Sequence, residues 1–291
     1  MNEITNTTEP QIAYSECYAQ PFLLFNESNL DTMKRMPDNF IDLTVTSPPY
    51  DNLRTYNGYS FDFESVAKEL YRVTKQGGVV VWVVGDATIK GSETGTSFRQ
   101  ALFFKEIGFN LHDTMIWEKP TFTATGALKT RYAQVFEYMF VFSKGKPKTF
   151  NPIKDRKNTT AGSKYSGTVR QSDGTLKPIC NKGKLKAEYG QRFNIWKNNT
   201  VSGNERRGHP APFPEQLAQD HILSWSNEGD LVYDPFMGSG TTAKMAILNN
   251  RNYIGSEISE EYCKIIETRI KECGGLFFNS FQTELSNEAG T

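Results

Sequence analysis

Two stretches carry residue types suited to chemistry, and they lie far apart in the chain. The first is Thr46-Ser-Pro-Pro-Tyr50, reached through the strand-like run Phe40-Ile-Asp-Leu-Thr-Val-Thr46. Pro48 and Pro49 forbid both helix and ladder hydrogen bonding, so the backbone must stop and stiffen there. The Ser47 hydroxyl, two fixed prolines and the Tyr50 ring then stand at a strand's carboxyl end, where open α/β sheets bind ligands. A Pro-Pro loop that merely closes a strand is an equal reading of SPPY taken alone. The second stretch is Leu231-Val-Tyr-Asp-Pro-Phe-Met-Gly-Ser-Gly-Thr-Thr242, a strand, a glycine turn and a helix start. Gly238 and Gly240 permit positive φ and close backbone approach by a bulky ligand, and the helix from Thr241 offers unpaired N–H groups. Arg251-Asn-Tyr-Ile-Gly-Ser-Glu257 follows as a strand ending on an acid placed to bind ribose hydroxyls. By itself this second set fits a nicotinamide dinucleotide, and the missing Gly-Lys-Ser/Thr excludes a P-loop.

The elements that must position these residues alternate. Pro21–Phe25 predicts a strand, and Leu30, Met33 and Met36 predict a helix that Pro37-Asp38 ends. Phe63–Val73 places Val66, Ala67, Leu70 and Tyr71 on one helical face, and Gly77-Gly78 releases the chain into Val79-Val-Val-Trp-Val-Val84. A continuous β-branched run of that kind is the mark of a strand buried on both faces. Ser97–Ile107 repeats the helical pattern, and Leu111–Trp117 and Tyr138–Phe142 predict further strands. Such alternation predicts an α/β doubly wound, mostly parallel sheet. The polar, aromatic loop 51–60 borders the first motif, with Arg54 and Tyr56 as its candidate nucleic-acid contacts. Pro214 opens a helix carrying Leu217, Ala218, Ile222 and Trp225, and His221 within that stripe reads as a core residue.

Composition bounds the partners. The chain has 291 residues, 37% hydrophobic, with a formal charge of zero. The zero hides a lopsided distribution: residues 144–208 hold 16 Lys or Arg against 4 Asp or Glu. Clustered cations interleaved with Tyr165, Tyr189, Phe193 and Trp196 suit phosphate contacts and base stacking, with Lys182, Lys184, Lys186 and Trp196 as candidates; the bland alternative is a solvated basic insertion. Cys17, Cys180, Cys263 and Cys273 form no CxxC pair, so neither a metal site nor a disulfide framework is expected. The polar start of the chain has no apolar leader-like segment and no run approaches membrane-spanning length. A soluble protein of the cytoplasm is expected.

SPPY together with DPFMGSGTT, with FPEQL between them and YIGSE after, resembles the DNA amino-methyltransferases, over about residues 40–270. The order of catalytic motif, basic insertion and cofactor motif is similar to the family's β order. The resemblance implies a circularly permuted methyltransferase sheet in which both motifs share one cleft, S-adenosylmethionine as cofactor and double-stranded DNA as partner. It also implies two halves of a catalytic domain, 1–148 and 209–275, around a target-recognition insertion, 149–208, with a tail at 276–291. A homodimer and a cognate restriction nuclease are partners the family allows. Carried over by position, Asp234, Phe236, Gly238, Gly240 and Thr241 match the cofactor loop. Glu257 matches the ribose-binding acid, and Phe213 and Pro214 match the segment over the methionine end. Many relatives carry Gly-Asp where this chain has Glu27-Ser28, so Ser28 or Asn29 must serve at the adenine end. A Gly240→Val change is expected to abolish cofactor binding and spare the fold.

In that reading Ser47, Pro48, Pro49 and Tyr50 are the catalytic set. An exocyclic amine is a poor nucleophile because its lone pair is delocalised into the ring. The Ser47 hydroxyl and the Pro48 carbonyl can accept its hydrogens while Tyr50 stacks on a base flipped out of the duplex. Serine at position 47 resembles the cytosine-N4 members, with adenine N6 as the alternative. A nicotinamide oxidoreductase would leave SPPY and the basic stretch unused. A non-catalytic DNA-binding module would leave both motifs unused, and RNA or protein methylation more often goes with Asn at the position of Ser47.

Overall fold

The computed structural model describes residues 22–49, 62–121, 129–201 and 214–273. Its main sheet has eight strands: β1 (Phe22–Phe25), β2 (Ile41–Thr46), β3 (Thr74–Val84), β6 (Asn110–Glu118), β7 (Phe136–Ser143), β12 (Ile195–Lys197), β13 (Leu231–Asp234) and β14 (Asn252–Ser256). The intervening short strands pair as three small hairpins: β4 (Thr88–Ile89) with β5 (Ser92–Glu93), β9 (Thr168–Arg170) with β10 (Leu176–Pro178), and β8 (Arg156–Lys157) with β11 (Tyr189–Gly190). Six helices complete the described chain: α1 (Asn29–Arg35), α2 (Phe63–Val73), α3 (Thr96–Glu106), α4 (Glu215–Trp225), α5 (Thr241–Leu248) and α6 (Glu260–Glu272).

The sheet order is β1-β14-β13-β2-β3-β7-β6-β12. β7 runs antiparallel to both neighbours, and every other pairing is parallel. The expected α/β sheet is therefore observed. Val79–Val84 alternates between two cores and is buried throughout. Val79, Val81 and Val83 pack with α4, α5 and α6 through Leu217, Ala243 and Ile266. Val80, Trp82 and Val84 pack with α1, α2 and α3 through Met33, Leu70 and Phe104. A strand covered on both faces gains nothing from alternating polarity, which is why its sequence is an unbroken apolar run.

This layering fixes where the site must lie. From β2 the chain crosses through α2 on one face to β3; from β13 it crosses through α5 on the other face to β14. Right-handed crossovers that run in opposite directions must use opposite faces, so the reversal falls between the adjacent strands β2 and β13. These two are in register at Val232 with Leu43 and Tyr233 with Thr44. Their carboxyl ends therefore deliver Ser47 and Asp234 side by side.

Two expectations about the basic stretch need correction. Trp196 is 5% exposed and belongs to the core: β12 pairs with β6 as the sheet's last strand, and the indole packs 4.5 Å from the His221 ring. It is not free to stack on a base. Lys144 is likewise turned inward, donating to the Tyr71 and Thr74 carbonyls at 2.7 and 3.0 Å and to Asn39 at 2.9 Å. Its ammonium caps the end of α2, where orphan carbonyls favour a cation, and burial holds its pKa below the ordinary lysine value. His221 is fully buried as expected, with burial first and Arg192 second pushing its pKa down to about 3.

Candidate active site

The site is organised by one buried carboxylate. Asp234, the last residue of β13, is 1% exposed. It accepts hydrogen bonds from Thr46 Oγ1 at 2.6 Å, Thr242 Oγ1 at 2.7 Å and the Phe236 N–H at 3.0 Å. Thr46 is the residue before Ser47 and Thr242 is in the first turn of α5, so one side chain ties the end of the SPP strand to both sides of the glycine turn. Thr242 Oγ1 also lies 3.2 Å from the Val45 carbonyl, a further link to β2. Burial pushes the Asp234 pKa up to about 6 against the three hydrogen bonds, which favour the charged form.

Beyond Asp234 the chain turns on Gly238 and Gly240, with φ of 55° and 80°. The Gly240 turn is closed by its N–H to Met237 O at 2.9 Å, and α5 begins directly after it. At the end of β14, Glu257 is bound to this turn: its Oε2 accepts from the Gly238 N–H at 2.8 Å and its Oε1 from the Ser259 N–H at 2.9 Å. Burial raises its pKa, opposed by those backbone donors. The strand itself is anchored by the Glu257 N–H to Phe25 O at 3.0 Å.

The two candidates for the adenine end divide. The Ser28 hydroxyl caps α1, accepting from the Leu30 N–H at 3.3 Å, whereas Asn29 Nδ2 donates to the Pro235 carbonyl at 3.0 Å and so stands against the Asp-Pro-Phe turn. Phe236 lies 6.2 Å edge-on from Trp82. Pro214 is buried at the start of α4 and accepts from the Leu217 N–H at 3.0 Å. Ser47 and Pro49 are half-buried and Pro48 is buried, all at the end of β2. Tyr50, Arg54, Tyr56 and Phe213 lie outside the described residues.

Thr241 is 4% exposed, and its Oγ1 accepts from Arg269 at 3.1 Å, so its side chain serves the inner side of the turn. Gly240 also has a packing role: a Cβ there would stand 3.1 Å from Ile266. With φ in the left-handed region, a Gly240→Val change would strain the fold as well as fill the turn, contrary to the expectation that the fold is spared. The sequence reading missed Thr46, Thr242, Asp86 and Arg269. Asp86 follows β3 at the same end of the sheet, is 8% exposed, and accepts from the Ser97 N–H at 2.9 Å and Thr94 Oγ1 at 3.3 Å, fixing the start of α3. A strand threonine and a helix threonine that meet on one aspartate leave no trace in one-dimensional spacing. A cation in the apolar stripe Cys263, Ile266, Ile270 was the signal for Arg269.

The basic stretch presents its lysines on a ribbon. Residues 162–165 pair with 183–186 through Tyr165 N–H to Lys184 O at 2.9 Å and Lys186 N–H to Ser163 O at 2.8 Å. Lys184 and Lys186 stand two residues apart on this ribbon, and Lys182 sits in the turn before it, with its N–H donating to the Ile179 carbonyl at 3.0 Å. Lys182 and Lys184 are exposed, and Lys186 is half-buried with Nζ 3.0 Å from Thr160 Oγ1. Among the described residues no group of acidic, His and Cys side chains could hold a metal ion, and no helix is long and apolar enough to cross a membrane.

A family model described as DNA methylase, covering N6 and N4 methyltransferases, matches residues 41–268, which takes in both motifs and everything between them. The chain belongs to the N6/N4 DNA methylase family. Among its relatives, the orphan methyltransferase M.BamHII of Bacillus amyloliquefaciens is 63% identical over 243 residues, covering 80% of this chain and 90% of that protein. The type II methyltransferase M.MthZI of Methanothermobacter thermautotrophicus is 29% identical over 84% of this chain and 75% of its own. Of the solved structures, the cytosine-N4-specific PvuII DNA methyltransferase matches with a TM-score of 0.62 at 20% identity, over 92% of this chain and 93% of that one. The M1.HpyAVI–SAM complex matches at 0.59 and 22% identity, over 86% and 98%. At these identities the structural matches establish the fold, and the DNA methylase assignment rests on the family model and the relatives.

Proposed function

We propose that this DNA methylase transfers a methyl group from S-adenosylmethionine to the N4 amine of a cytosine flipped out of double-stranded DNA. The observation that carries the reading is the Asp234 juncture, which holds the SPP backbone and the glycine turn together at the switch point of the sheet. The residues present fit the cofactor: Gly238 and Gly240 give the turn positive φ with no side chain at either position, and the half-buried Glu257 carboxylate borders that turn with lone pairs suited to ribose hydroxyls. Asn29 would serve the adenine end, while Phe213 and Pro214 would cover the methionine end. When bound, the cofactor supplies an electrophilic methyl group on a sulfonium.

The chain's own residues prepare the nucleophile. Ser47 Oγ and the Pro48 carbonyl accept the amine's two hydrogens, which draws the lone pair out of conjugation and toward the acceptor carbon. The fixed φ of Pro48 and the Thr46–Asp234 bond hold those acceptors still, so their orientation costs nothing at the moment of reaction. The sulfonium would supply the methyl group and leave as the neutral thioether, while the proton that the amine sheds would pass to solvent. Tyr50 would stack on the flipped base, and the ribbon bearing Lys182, Lys184 and Lys186, within the target-recognition insertion 149–208, would grip phosphates, together with Arg54 and Tyr56.

Serine at position 47 and the cytosine-N4-specific PvuII neighbour support N4 over the alternative, adenine N6. Nucleoside mass spectrometry on DNA from a methylation-free host expressing the protein tests this directly. N4-methylcytosine is expected; N6-methyladenine as the sole product would select the alternative base, and 5-methylcytosine would overturn the amine chemistry.

A further inference from the structure

α6 sends one charged side chain into the core. Arg269 is 4% exposed, on the same helical stripe as Cys263, Ile266 and Ile270. Its Nη1 donates to the Ser239 carbonyl at 2.8 Å, with Ser239 Oγ at 3.2 Å and Thr241 Oγ1 at 3.1 Å. Its Nη2 donates to Glu215 Oε1 at 2.6 Å. Lys244 on α5 donates to the same Glu215 oxygen at 2.6 Å. One guanidinium thus holds the back of the glycine turn with one nitrogen and the first residue of α4 with the other. Glu215 follows Phe213-Pro214 directly in the chain.

We infer that Arg269 is a positioning residue for cofactor binding, the strut that sets the spacing between the glycine turn and Pro214-Glu215 at the start of α4. The inference rests on the reading of that turn as the S-adenosylmethionine site. Three features argue for a positioning role over simple core filling. Burying a guanidinium carries a desolvation cost that a half-exposed carboxylate partner only offsets, so stability alone does not explain a cation in this stripe. The contacts are made to the Ser239 carbonyl and hydroxyl in the turn and to the hydroxyl of Thr241, which opens α5 directly after it. A planar guanidinium can keep two acceptors at a set separation, which an ammonium cannot.

The test measures S-adenosylmethionine affinity by calorimetry, and the KM and kcat for methyl transfer, in the full-length protein and in Arg269→Lys, Glu215→Gln and the double variant. Loss of a charge-assisted hydrogen bond at the strut predicts cofactor Kd and KM raised about tenfold or more in Arg269→Lys. kcat at saturating cofactor should change far less, and DNA affinity should stay at the wild-type value. The double variant should bind little worse than Arg269→Lys alone, because both changes break one strut. Glu215 is 43% exposed, so Glu215→Gln keeps the test open if Arg269→Lys does not fold. Wild-type cofactor affinity in the folded variants, or a loss confined to melting temperature and kcat, overturns the positioning role. A wild-type protein that binds no S-adenosylmethionine would instead overturn the cofactor site itself, and the inference with it.

Discussion

Replacing Asp234 with Asn tests whether the juncture depends on a carboxylate kept out of water. Burial moves the Asp234 pKa from an ordinary 3.8 to about 6, opposed by Thr46, Thr242 and the Phe236 N–H. A carboxyl whose folded pKa lies above its unfolded value stabilises the fold while protonated. That contribution is complete below about pH 3 and is lost as pH rises through about 6. At about 1.4 kcal/mol per pH unit, the displacement is worth about 3 kcal/mol by pH 7. Asparagine does not titrate, and the site can take it. Its Oδ1 can accept from Thr46 and the Phe236 N–H, and its Nδ2 can donate to Thr242 Oγ1, whose own hydrogen then turns to the Val45 carbonyl 3.2 Å away. Urea unfolding of both proteins between pH 3 and pH 7 should show the stability difference moving in favour of Asp234→Asn by about 3 kcal/mol. A difference that stays flat across that range would mean that Asp234 ionises as an exposed aspartate does, and the argument from burial would fail.

Three further outcomes are expected. Gly240→Val should lose about 1–2 kcal/mol for the left-handed backbone alone, seen as a lower melting temperature together with lost cofactor binding; Glu257→Gln should weaken cofactor binding about tenfold in calorimetry with little change in melting temperature. Trp196→Ala should cost about 3–5 kcal/mol of stability in denaturant titration, as a large aromatic leaving a packed core does, and a variant as stable as wild type would contradict its place in the sheet. Charge reversal at Lys182, Lys184 and Lys186 should weaken DNA binding and flatten its salt dependence, by about 0.9 in log–log slope for each phosphate that is no longer neutralised; an unchanged slope would remove the ribbon from the DNA interface.

Much of the frame was legible because it follows from local pattern. The helix Phe63–Val73 agrees with its predicted limits, since an apolar stripe, the Asp62 cap and the glycines after it all point the same way. The apolar run Val79–Val84 is a buried strand as its composition implies, although β3 starts five residues earlier, at Thr74, and runs through Gly77-Gly78. What escaped was set by tertiary contact. β12 is three residues long, too short to show a period, and becomes a strand only because β6 offers it an edge, which is why Trp196 read as a surface aromatic. The excess charge of 144–208 was visible in the sequence. Which of those cations are engaged within the fold was not: Lys144 holds the end of α2, and Arg192 is clasped by Asp155 and Asp220 at 2.5 Å each. The candidate site shows the same division. Glycines, prolines and Glu257 announce themselves by type and spacing, whereas Thr46, Thr242 and Arg269 matter through partners in distant parts of the chain.

The central claim is that the ends of β2 and β13 form one site for methyl transfer to an exocyclic amine. Transfer of tritium-labelled methyl from S-adenosylmethionine to duplex DNA by the wild type and by Ser47→Ala tests it most directly. The account predicts label in the amine of a base with the wild type, and a rate lower by about 10²-fold in the variant, the size of effect that loss of one aligned transition-state hydrogen bond produces. Label on a ring carbon, or an undiminished rate without the Ser47 hydroxyl, would contradict it.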